Sequence, residues 1–261
     1  MKIACVGDNC IDYYDETGQA FPGGNPVNVS VYARRLGAET AYLGAVGTDR
    51  YADLLLDRLA EQKIDISHVQ KLQGSTALCH VTHENGDRVL GEYNEGVMSQ
   101  FALRTIDLEF LRKFDLVVTG LWGHTEGNLA DLQKMGILTA FDGADRPFDP
   151  AAKVALANSD IVFFSDDEST TLQLREKILA VKEYGPKTVI ATRGAKGSMG
   201  LDGENFFISA PTPCKVVDTM GAGDSFIAGF LVARLQHRSI QDCMQAGANN
   251  AAVTIAYKGA W

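Results

Sequence analysis

From residue 114 onward, short apolar runs alternate with longer segments in which apolar residues recur at helical spacing. The runs have the length of strands and lie at 115–119, 137–141, 161–164 and 188–192. Helices are predicted between and after them, at 127–135, 150–157, 170–184 and 241–256. Earlier in the chain, 2–7 and 40–46 predict strands, and 25–36 and 51–62 predict helices. This alternation predicts an α/β fold with a parallel sheet flanked by helices.

Two segments have a different pattern. Residues 76–83 and 88–93 alternate between apolar and polar positions on either side of Asn85-Gly86, a dipeptide typical of tight hairpins. Their alternation is too polar for a central strand, so the hairpin is placed outside the main sheet. A solvated hairpin face would explain the same pattern. A second hairpin is predicted to turn at Asp202-Gly203.

The chemistry of the chain is predicted to centre on the run Asp-Thr-Met-Gly-Ala-Gly-Asp-Ser-Phe at 218–226. It follows an apolar run at 214–217, a predicted strand, and precedes a predicted buried helix at 226–235. Glycines leave the first helical N–H groups bare, and the helix dipole makes them an anion site. Asp224 in the first turn could accept a proton, which indicates phosphoryl transfer to a hydroxyl group. Helix capping and close packing are the alternative explanation of these residues.

Composition narrows the class of protein. The 261 residues suffice for one large α/β domain, or one domain with a small appendage. A formal net charge of -9 argues against a nucleic-acid binder, whose surface would be basic. Five scattered cysteines without a C-x-x-C pair predict buried, reduced thiols. No signal peptide or membrane-length apolar run is found, so a cytoplasmic protein is expected.

The run at 218–226 resembles the signature of the ribokinase-like (PfkB) family of carbohydrate and nucleoside kinases. The resemblance implies that Asp224 is the catalytic base and that the amides of Gly221, Ala222 and Gly223 hold the phosphoryl group. It also implies ATP as phosphoryl donor. The fold implied is a single ribokinase-like three-layer sandwich over 1–261, with a mostly parallel central sheet. A small β lid is expected from about 12–22 and 76–98.

A second resemblance lies in Gly23-Gly24-Asn25-Pro26-Val27-Asn28. The pattern alone predicts a glycine turn capped by Asn25, with a proline at the first helical position. The family's N-terminal signature implies that Asp12, Gly24 and Asn28 contact the sugar, with Gly23 and Asn25 beside them. Many ribokinases have a lysine or alanine pair where this chain has Asn25-Pro26, which places its substrate outside the simple pentoses.

The loop after the strand at 188–192 is the predicted nucleotide site. Its glycines alone would fit an ordinary turn, and it lacks the spacing of a Walker motif. It resembles the family's Thr-x-Gly-x-x-Gly phosphate loop at Thr192, Gly194 and Gly197. Asn249 lies on the last predicted helix, near where relatives place the adenine. The alanines of that helix would leave room for a flat base, and helix packing explains them equally well.

Two cation sites are expected from the resemblance. Relatives have Asn-x-x-Glu where this chain has Ser165-x-x-Glu168, so Glu168 is carried over as a Mg²⁺ residue acting through water. Asp166 and Asp167 are interpreted as acids at a helix start. Asp218 lies in a region that binds a monovalent cation in some relatives, which makes K⁺ a candidate.

The substrate is expected to be a small sugar. Glu92, Tyr93 or Asn94 on the predicted lid is expected to face it, and His124 beside Trp122 is a candidate for lining the pocket, although lone histidines are often structural. Segments such as 7–10, 65–69 and 122–124 are similar to kinases that act on fructosamines, which are sugars joined to an amino acid. Their tail would need charged contacts, for which Arg88 and Glu92 are candidates.

Three alternatives stay open at this point. A kinase of the same fold could act on a free ketose, a tagatose phosphate or a nucleoside, and a catalytically silent sugar-binding protein could share the fold. A dehydrogenase is disfavoured because no G-x-G-x-x-G follows the first strand. No nucleic-acid or membrane partner is expected, and a polar lid hairpin with apolar members is compatible with a homodimer.

Overall fold

A computed structural model describes residues 1–84 and 87–261 of the chain. Eight α-helices are found in these residues: α1 (Asn25–Arg35), α2 (Arg50–Glu61), α3 (Thr105–Leu111), α4 (Leu129–Lys134), α5 (Pro150–Leu156), α6 (Thr171–Lys182), α7 (Ala222–Leu235) and α8 (Ile240–Thr254). The strands of the large sheet are β1 (Lys2–Val6), β4 (Glu39–Leu43), β9 (Leu116–Gly120), β10 (Leu138–Asp142), β11 (Ile161–Ser165), β12 (Thr188–Thr192), β13 (Ser198–Asp202) and β14 (Asn205–Ser209). The remaining strands are β2 (Cys10–Tyr14), β3 (Gln19–Gly23), β5 (Ala45–Val46), β6 (Gln70–Lys71), β7 (Leu78–Glu84) and β8 (Asp87–Asn94).

The central sheet has eight strands in the order β14-β13-β12-β11-β10-β9-β1-β4. The pairs from β4 to β12 are parallel, and β13 and β14 add an antiparallel edge. The predicted α/β class with a mostly parallel sheet is therefore confirmed. The carboxyl ends of β1, β9, β10 and β11 meet at one edge, where sheets of this kind bind ligands.

Helices cover both faces of this sheet. Ile3 and Cys5 of β1 pack with α1, α7 and α8, whereas Ala4 and Val6 pack in a second core cluster with α4, α5 and α6. Alternate residues of a strand point to opposite faces, so these two clusters are the two interfaces of a three-layer sandwich. No helix in the described part of the chain is long and apolar enough to cross a bilayer.

A separate four-stranded sheet has the order β3-β2-β7-β8. β2 and β3 form one antiparallel hairpin, β7 and β8 form another, and β2 pairs with β7 in parallel. These strands fall in the two segments predicted to form a lid, although the predicted Asn85-Gly86 turn lies outside the described residues. That this sheet opens and closes over a substrate stays a prediction.

Some local predictions are wrong. Residues 214–217 are not a strand: Val216 and Val217 are more than half exposed, and the amide of Val217 donates to the carbonyl of Ile255 over 2.8 Å rather than to a neighbouring strand. The predicted strand at 40–46 is divided at Gly44. The five cysteines are free, as predicted, but Cys214 is exposed in the same loop rather than buried.

Candidate active site

The N-terminus of α7 is open to a ligand because it has no side-chain cap. Gly221 precedes it with φ +69°, a left-handed conformation that favours glycine, and a Cβ there would lie 2.5 Å from the hydroxyl of Tyr32. The amide of Ala222 donates to the carbonyl of Thr219 over 3.2 Å. Gly221, Ala222 and Gly223 are predicted to bind the phosphoryl group through their amides. Of these three amides, that of Ala222 already donates within the turn. Asp224 lies in the first turn of α7, as the sequence predicts.

Two asparagines of α1 fix the carboxylate of Asp224. The side-chain amide of Asn25 donates to Oδ1 over 2.8 Å, and that of Asn28 donates to Oδ2 over 2.7 Å. α1 begins after Gly24, whose φ of +102° brings the backbone close to Asn9: a Cβ at Gly24 would lie 2.7 Å from the Cα of Asn9. The glycine turn therefore orients the side-chain amides of Asn25 and Asn28 toward Asp224, which lies 199 and 196 positions further along the chain.

Two further carboxyl groups lie around Asn25. Its side-chain amide also donates to Oδ2 of Asp142 over 2.9 Å, and its backbone amide donates to Oδ2 of Asp8 over 3.2 Å. Asp8 and Asp142 follow or end β1 and β10, so the sheet edge brings them to the start of α1. Asp8, Asp142 and Asp224 thus form an acidic cluster around one asparagine.

Burial raises the pKa of each member of this acidic cluster. It raises the pKa of Asp224 to about 6, although the two asparagine hydrogen bonds favour the ionised form. The pKa of Asp142 is raised to about 7 by burial and then by the charge of Asp224. For Asp8, burial and the charge of Asp224 outweigh the bond from the Asn25 amide and raise the pKa to about 6. At neutral pH Asp224 is mostly ionised and able to accept a proton.

Asp142→Asn should stabilise the protein at pH 8. A raised pKa in the folded state means that this carboxyl favours folding below pH 4 and loses that contribution as pH rises to about 7. Removing the buried charge should add about 1–2 kcal/mol to the free energy of unfolding at pH 8, and less at pH 4.5. Urea denaturation at both pH values measures this. If Asp142→Asn were less stable than wild type at pH 8, the raised pKa of Asp142 would be contradicted.

The last residues of the chain support the same site. The indole N–H of Trp261 donates to Oδ1 of Asn28 over 2.8 Å, and the Tyr32 hydroxyl donates to the carbonyl of Ala260. A cavity of about 520 Å³ lies beside this tail, lined in part by Met220 and Trp261, but it does not include Asp224. The hydrogen-bonded carboxylates, rather than this cavity, define the candidate active site.

Asp218 is occupied by backbone amides. Its Oδ1 accepts from Met220 over 3.0 Å, and its Oδ2 accepts from Gly259 over 2.9 Å. The carboxylate therefore joins the turn before α7 to the tail. A monovalent cation at Asp218 stays a prediction.

Three side chains share one face of the small sheet. Asp12 pairs with Cys79, and Cys79 pairs with Tyr93, so these three side chains share a face. Asp12 is buried, and a Cβ at Gly23 would lie 3.0 Å from its Oδ2, so Gly23 gives this carboxylate room. Tyr93 is thus the member of the trio 92–94 on the face of Asp12.

Glu92 and Asn94 lie elsewhere. They line a groove with Asp49, Thr76 and His80. The structure therefore does not bring Glu92 beside Asp224. The register of β8 shifts between Cys79 and Val81 of its partner strand, an irregularity that sequence alternation does not reveal.

His124 lies near the acidic cluster, in a left-handed conformation with φ +53°. Its Nε2 contacts Oε1 of Glu95, and it lies close enough to Asp8 to interact with that carboxyl electrostatically. The neighbouring Trp122 is 41% exposed, with the guanidinium of Arg146 5.5 Å from its ring centre. His124 is thus held by Glu95 at the margin of the cluster.

The predicted phosphate loop is a tight turn after β12. Gly194 and Gly197 have φ values of +52° and +83°, and the amide of Arg193 donates to the carbonyl of Gly197 over 2.8 Å. Thr192 ends β12 next to it. Asn249 is exposed on α8, where its Oδ1 accepts from Thr212 over 2.7 Å. Gly194 and Gly197 are thus required by the turn itself, because both have positive φ.

The carboxyl groups after β11 divide into two kinds. Asp166 is buried, accepts from the amide and hydroxyl of Ser169 and pairs with Lys177, and these bonds outweigh burial to lower its pKa to about 2. It is therefore structural, before the start of α6. Asp167 and Glu168 are exposed. The described residues contain no cluster of three metal-ligating side chains, so Glu168 fits a metal only as a single ligand or through water.

Sequence reasoning did not select Asp8, Asp142 or Trp261 as site residues. A signal existed for the two aspartates, because both stand at carboxyl ends of predicted parallel strands. Nothing in the local sequence of Trp261 indicates its bond to Asn28, which joins residues 233 positions apart.

Comparison with known proteins gives the family. Residues 2–261 match the model of the pfkB family carbohydrate kinases. The chain is 43% identical to fructoselysine 6-kinase of Shigella flexneri over 99% of both chains. It is 32% identical to a fructosamine kinase of Bacillus subtilis, over 100% of this chain and 93% of the relative.

Solved structures share the fold. Ribokinase of Arabidopsis thaliana, complexed with ribose and ATP, superposes with a TM-score of 0.89 at 22% identity, over 99% of this chain and 93% of that one. A putative ribokinase II of E. coli with ATP and Mg²⁺ gives a TM-score of 0.84 at 21% identity, over 99% and 94%. The fold is thus ribokinase-like.

These matches, with the carboxylate at the open start of α7, define an ATP-dependent carbohydrate kinase. The chain belongs to the pfkB family of carbohydrate kinases.

Proposed function

We propose that the protein transfers the γ-phosphoryl group of ATP to the 6-hydroxyl of a fructosamine such as fructoselysine. Three relatives that match it at 32–43% identity, over 93–99% of their own length, are named fructoselysine 6-kinase and fructosamine kinase. The observation that carries the mechanism is the pair of hydrogen bonds from Asn25 and Asn28 to Asp224. They hold a half-buried carboxylate at the uncapped N-terminus of a helix, where base and anion site meet.

In the proposed reaction, Asp224 accepts the proton of the 6-hydroxyl while its oxygen attacks the γ-phosphorus. The bond from that phosphorus to the bridging oxygen breaks, and ADP leaves with the electron pair. Little deprotonation is needed early in a loose transition state, so a carboxylate with a pKa of about 6 suffices. The amides at the start of α7, with Gly221 and Gly223, stabilise charge on the phosphoryl oxygens.

The remaining predicted residues fit supporting roles. The turn at Thr192, Gly194 and Gly197 would hold nucleotide phosphates through backbone amides, with Asn249 nearer the base. Glu168 would orient Mg²⁺ through water, and its exposure is compatible with an outer-sphere role. Mg²⁺ would neutralise charge on the β- and γ-phosphates. Asp12, Gly24 and Asn28 would contact the sugar, and Asp218 is the candidate for K⁺.

The test is an assay of ADP release with a panel of substrates. Fructosamines that differ only in the amino acid are compared with fructose, tagatose 6-phosphate and nucleosides. We expect the highest kcat/KM for a fructosamine, with phosphate on C6 by NMR of the product. Higher kcat/KM for a free ketose or a nucleoside would replace this substrate assignment. Absence of sugar-dependent ADP release with every compound would favour a silent sugar-binding protein.

A cytoplasmic location and a homodimer through the small sheet stay predictions. Size-exclusion chromatography with light scattering of the purified protein decides the second: a mass near twice 28.2 kDa supports it.

A further inference from the structure

The cavity of about 520 Å³ beside the C-terminal tail has a size typical of small-molecule sites. One of its walls is β3 of the small sheet, and another is the tail from Lys258 to Trp261. The C-terminal end of α2 supplies Arg58 and Glu61. On β3, Phe21 is 43% exposed and offers apolar surface that a hydrocarbon chain would cover. The chemistry proposed at Asp224 makes no use of this cavity.

Trp261 joins this cavity to the active site. Its indole N–H donates to Oδ1 of Asn28 over 2.8 Å, and the side-chain amide of Asn28 donates to Oδ2 of Asp224 over 2.7 Å. Two hydrogen bonds and one amide group therefore separate the indole nitrogen from the carboxylate, a distance of at most about 8 Å. From the 6-oxygen of a fructosamine to the nitrogen on C1 there are seven bonds, which span at most about 9 Å. A sugar bound with its 6-hydroxyl at Asp224 can thus place that nitrogen at the edge of the cavity.

The charges of this cavity fit a zwitterion. Its charged lining residues are Arg58, Glu61 and Lys258, so it has a net positive charge in a chain whose formal charge is -9. Glu61 pairs with Arg58 through Oε2 over 3.0 Å. The ammonium of Lys258 has no ion pair or hydrogen bond with any residue that the structure describes. It is therefore available to a carboxylate of a ligand.

The backbone around Lys258 is fixed on both sides. The amide of Gly259 donates to Oδ2 of Asp218 over 2.9 Å, and the hydroxyl of Tyr257 donates to the carbonyl of Ala260 over 3.0 Å. These bonds set the point from which the Lys258 side chain extends, so its ammonium meets the cavity from a defined position.

We propose that this cavity binds the amino-acid part of a fructosamine, with its carboxylate at Lys258, its ammonium at Glu61 and its hydrocarbon chain on Phe21. The inference rests on the proposed function and assigns the subsite that distinguishes a fructosamine from a free ketose, which has none of these three groups. Fructoselysine has all three, because a four-carbon chain joins its zwitterionic α-carbon to the nitrogen on C1. The charged contacts of the amino acid thus lie on the tail and on α2 rather than at Glu92, which lines another groove.

The test is titration calorimetry of wild type and Lys258→Gln with two fructosamines, fructoselysine and N-fructosyl-butylamine. The second compound has the same four-carbon chain but no carboxylate and no α-ammonium. Lys258→Gln should weaken the binding of fructoselysine about three- to tenfold, the effect of one partly solvated ion pair, and that of the butylamine compound by less than about twofold. Because Lys258 is exposed, this variant should fold normally. The control is Lys153→Gln, which removes the charge of an exposed lysine on α5 and should change neither dissociation constant.

Glu61→Gln tests the ammonium contact with a second pair of ligands, fructoselysine and its Nα-acetyl derivative, which has no α-ammonium. The variant should weaken fructoselysine about three- to tenfold and the acetylated compound by less than about twofold. Equal changes within a ligand pair, or no change for either ligand, in either variant would overturn the amino-acid subsite. Failure of the proposed function gives a different result: wild type would bind fructoselysine with this selectivity but form no phosphorylated product from it.

Discussion

Asp224→Asn should lower kcat by about 10²- to 10⁴-fold, the range expected when a general base is removed. The asparagine cannot take the proton of the hydroxyl, yet it keeps an oxygen for one of the two amide donors from Asn25 and Asn28. Sugar and ATP dissociation constants should therefore stay within about threefold of wild type. Steady-state kinetics with titration calorimetry separates the two effects.

Asp242→Asn is the matched control. Asp242 is the third residue of α8, as Asp224 is the third residue of α7, and it is exposed. Both substitutions remove a carboxylate from a first helical turn, so a loss of dipole interaction alone would affect them alike. The control should keep wild-type kcat. Near-normal kcat in Asp224→Asn would remove Asp224 from the role of base.

Gly221→Ala should have the second-largest effect. Its φ of +69° disfavours any side chain, and the new Cβ would overlap the hydroxyl of Tyr32. The shift needed to relieve this overlap moves the first amides of α7, so kcat should fall about 10²-fold, the cost of losing a charge-stabilising donor. The free energy of unfolding should fall by about 1–3 kcal/mol.

Gly203→Ala separates strain from catalysis. Gly203 has a similar φ of +59° in the turn between β13 and β14, and a Cβ there would meet nothing within 4 Å. It should lose about 1 kcal/mol of stability from backbone strain and keep wild-type kcat. An unchanged kcat in Gly221→Ala, measured beside this control, would show that the start of α7 does not stabilise the transferred group.

Much of the fold could be predicted because its determinants are local. The buried strand β12 and the hairpin β13–β14 follow from apolar runs and from the turn at Asp202-Gly203. The position of Asp224 in a first helical turn follows from Gly-Ala-Gly before an apolar helix. Apolarity alone misled at Val216 and Val217, because these side chains lie exposed in a loop that contacts the end of α8 instead of a strand.

The network around Asp224 could not be predicted in the same way. Asn25 meets Asp142 and Asp224 across 117 and 199 residues, and only the strand order brings them together. The sequence indicates which edge of the sheet binds ligands but not which side chains there touch. Similarly, the face of the small sheet that Glu92 occupies depends on a shift of register, which breaks simple alternation.

The dependence of kcat/KM on pH tests the central claim most directly, because it reports the ionisation of the free enzyme. Asp224 must be ionised to accept a proton, and its pKa is raised to about 6 by burial. Activity should therefore rise with pH to a plateau above a midpoint near 6. A profile that is flat from pH 5 to 8 would contradict the role of this carboxylate.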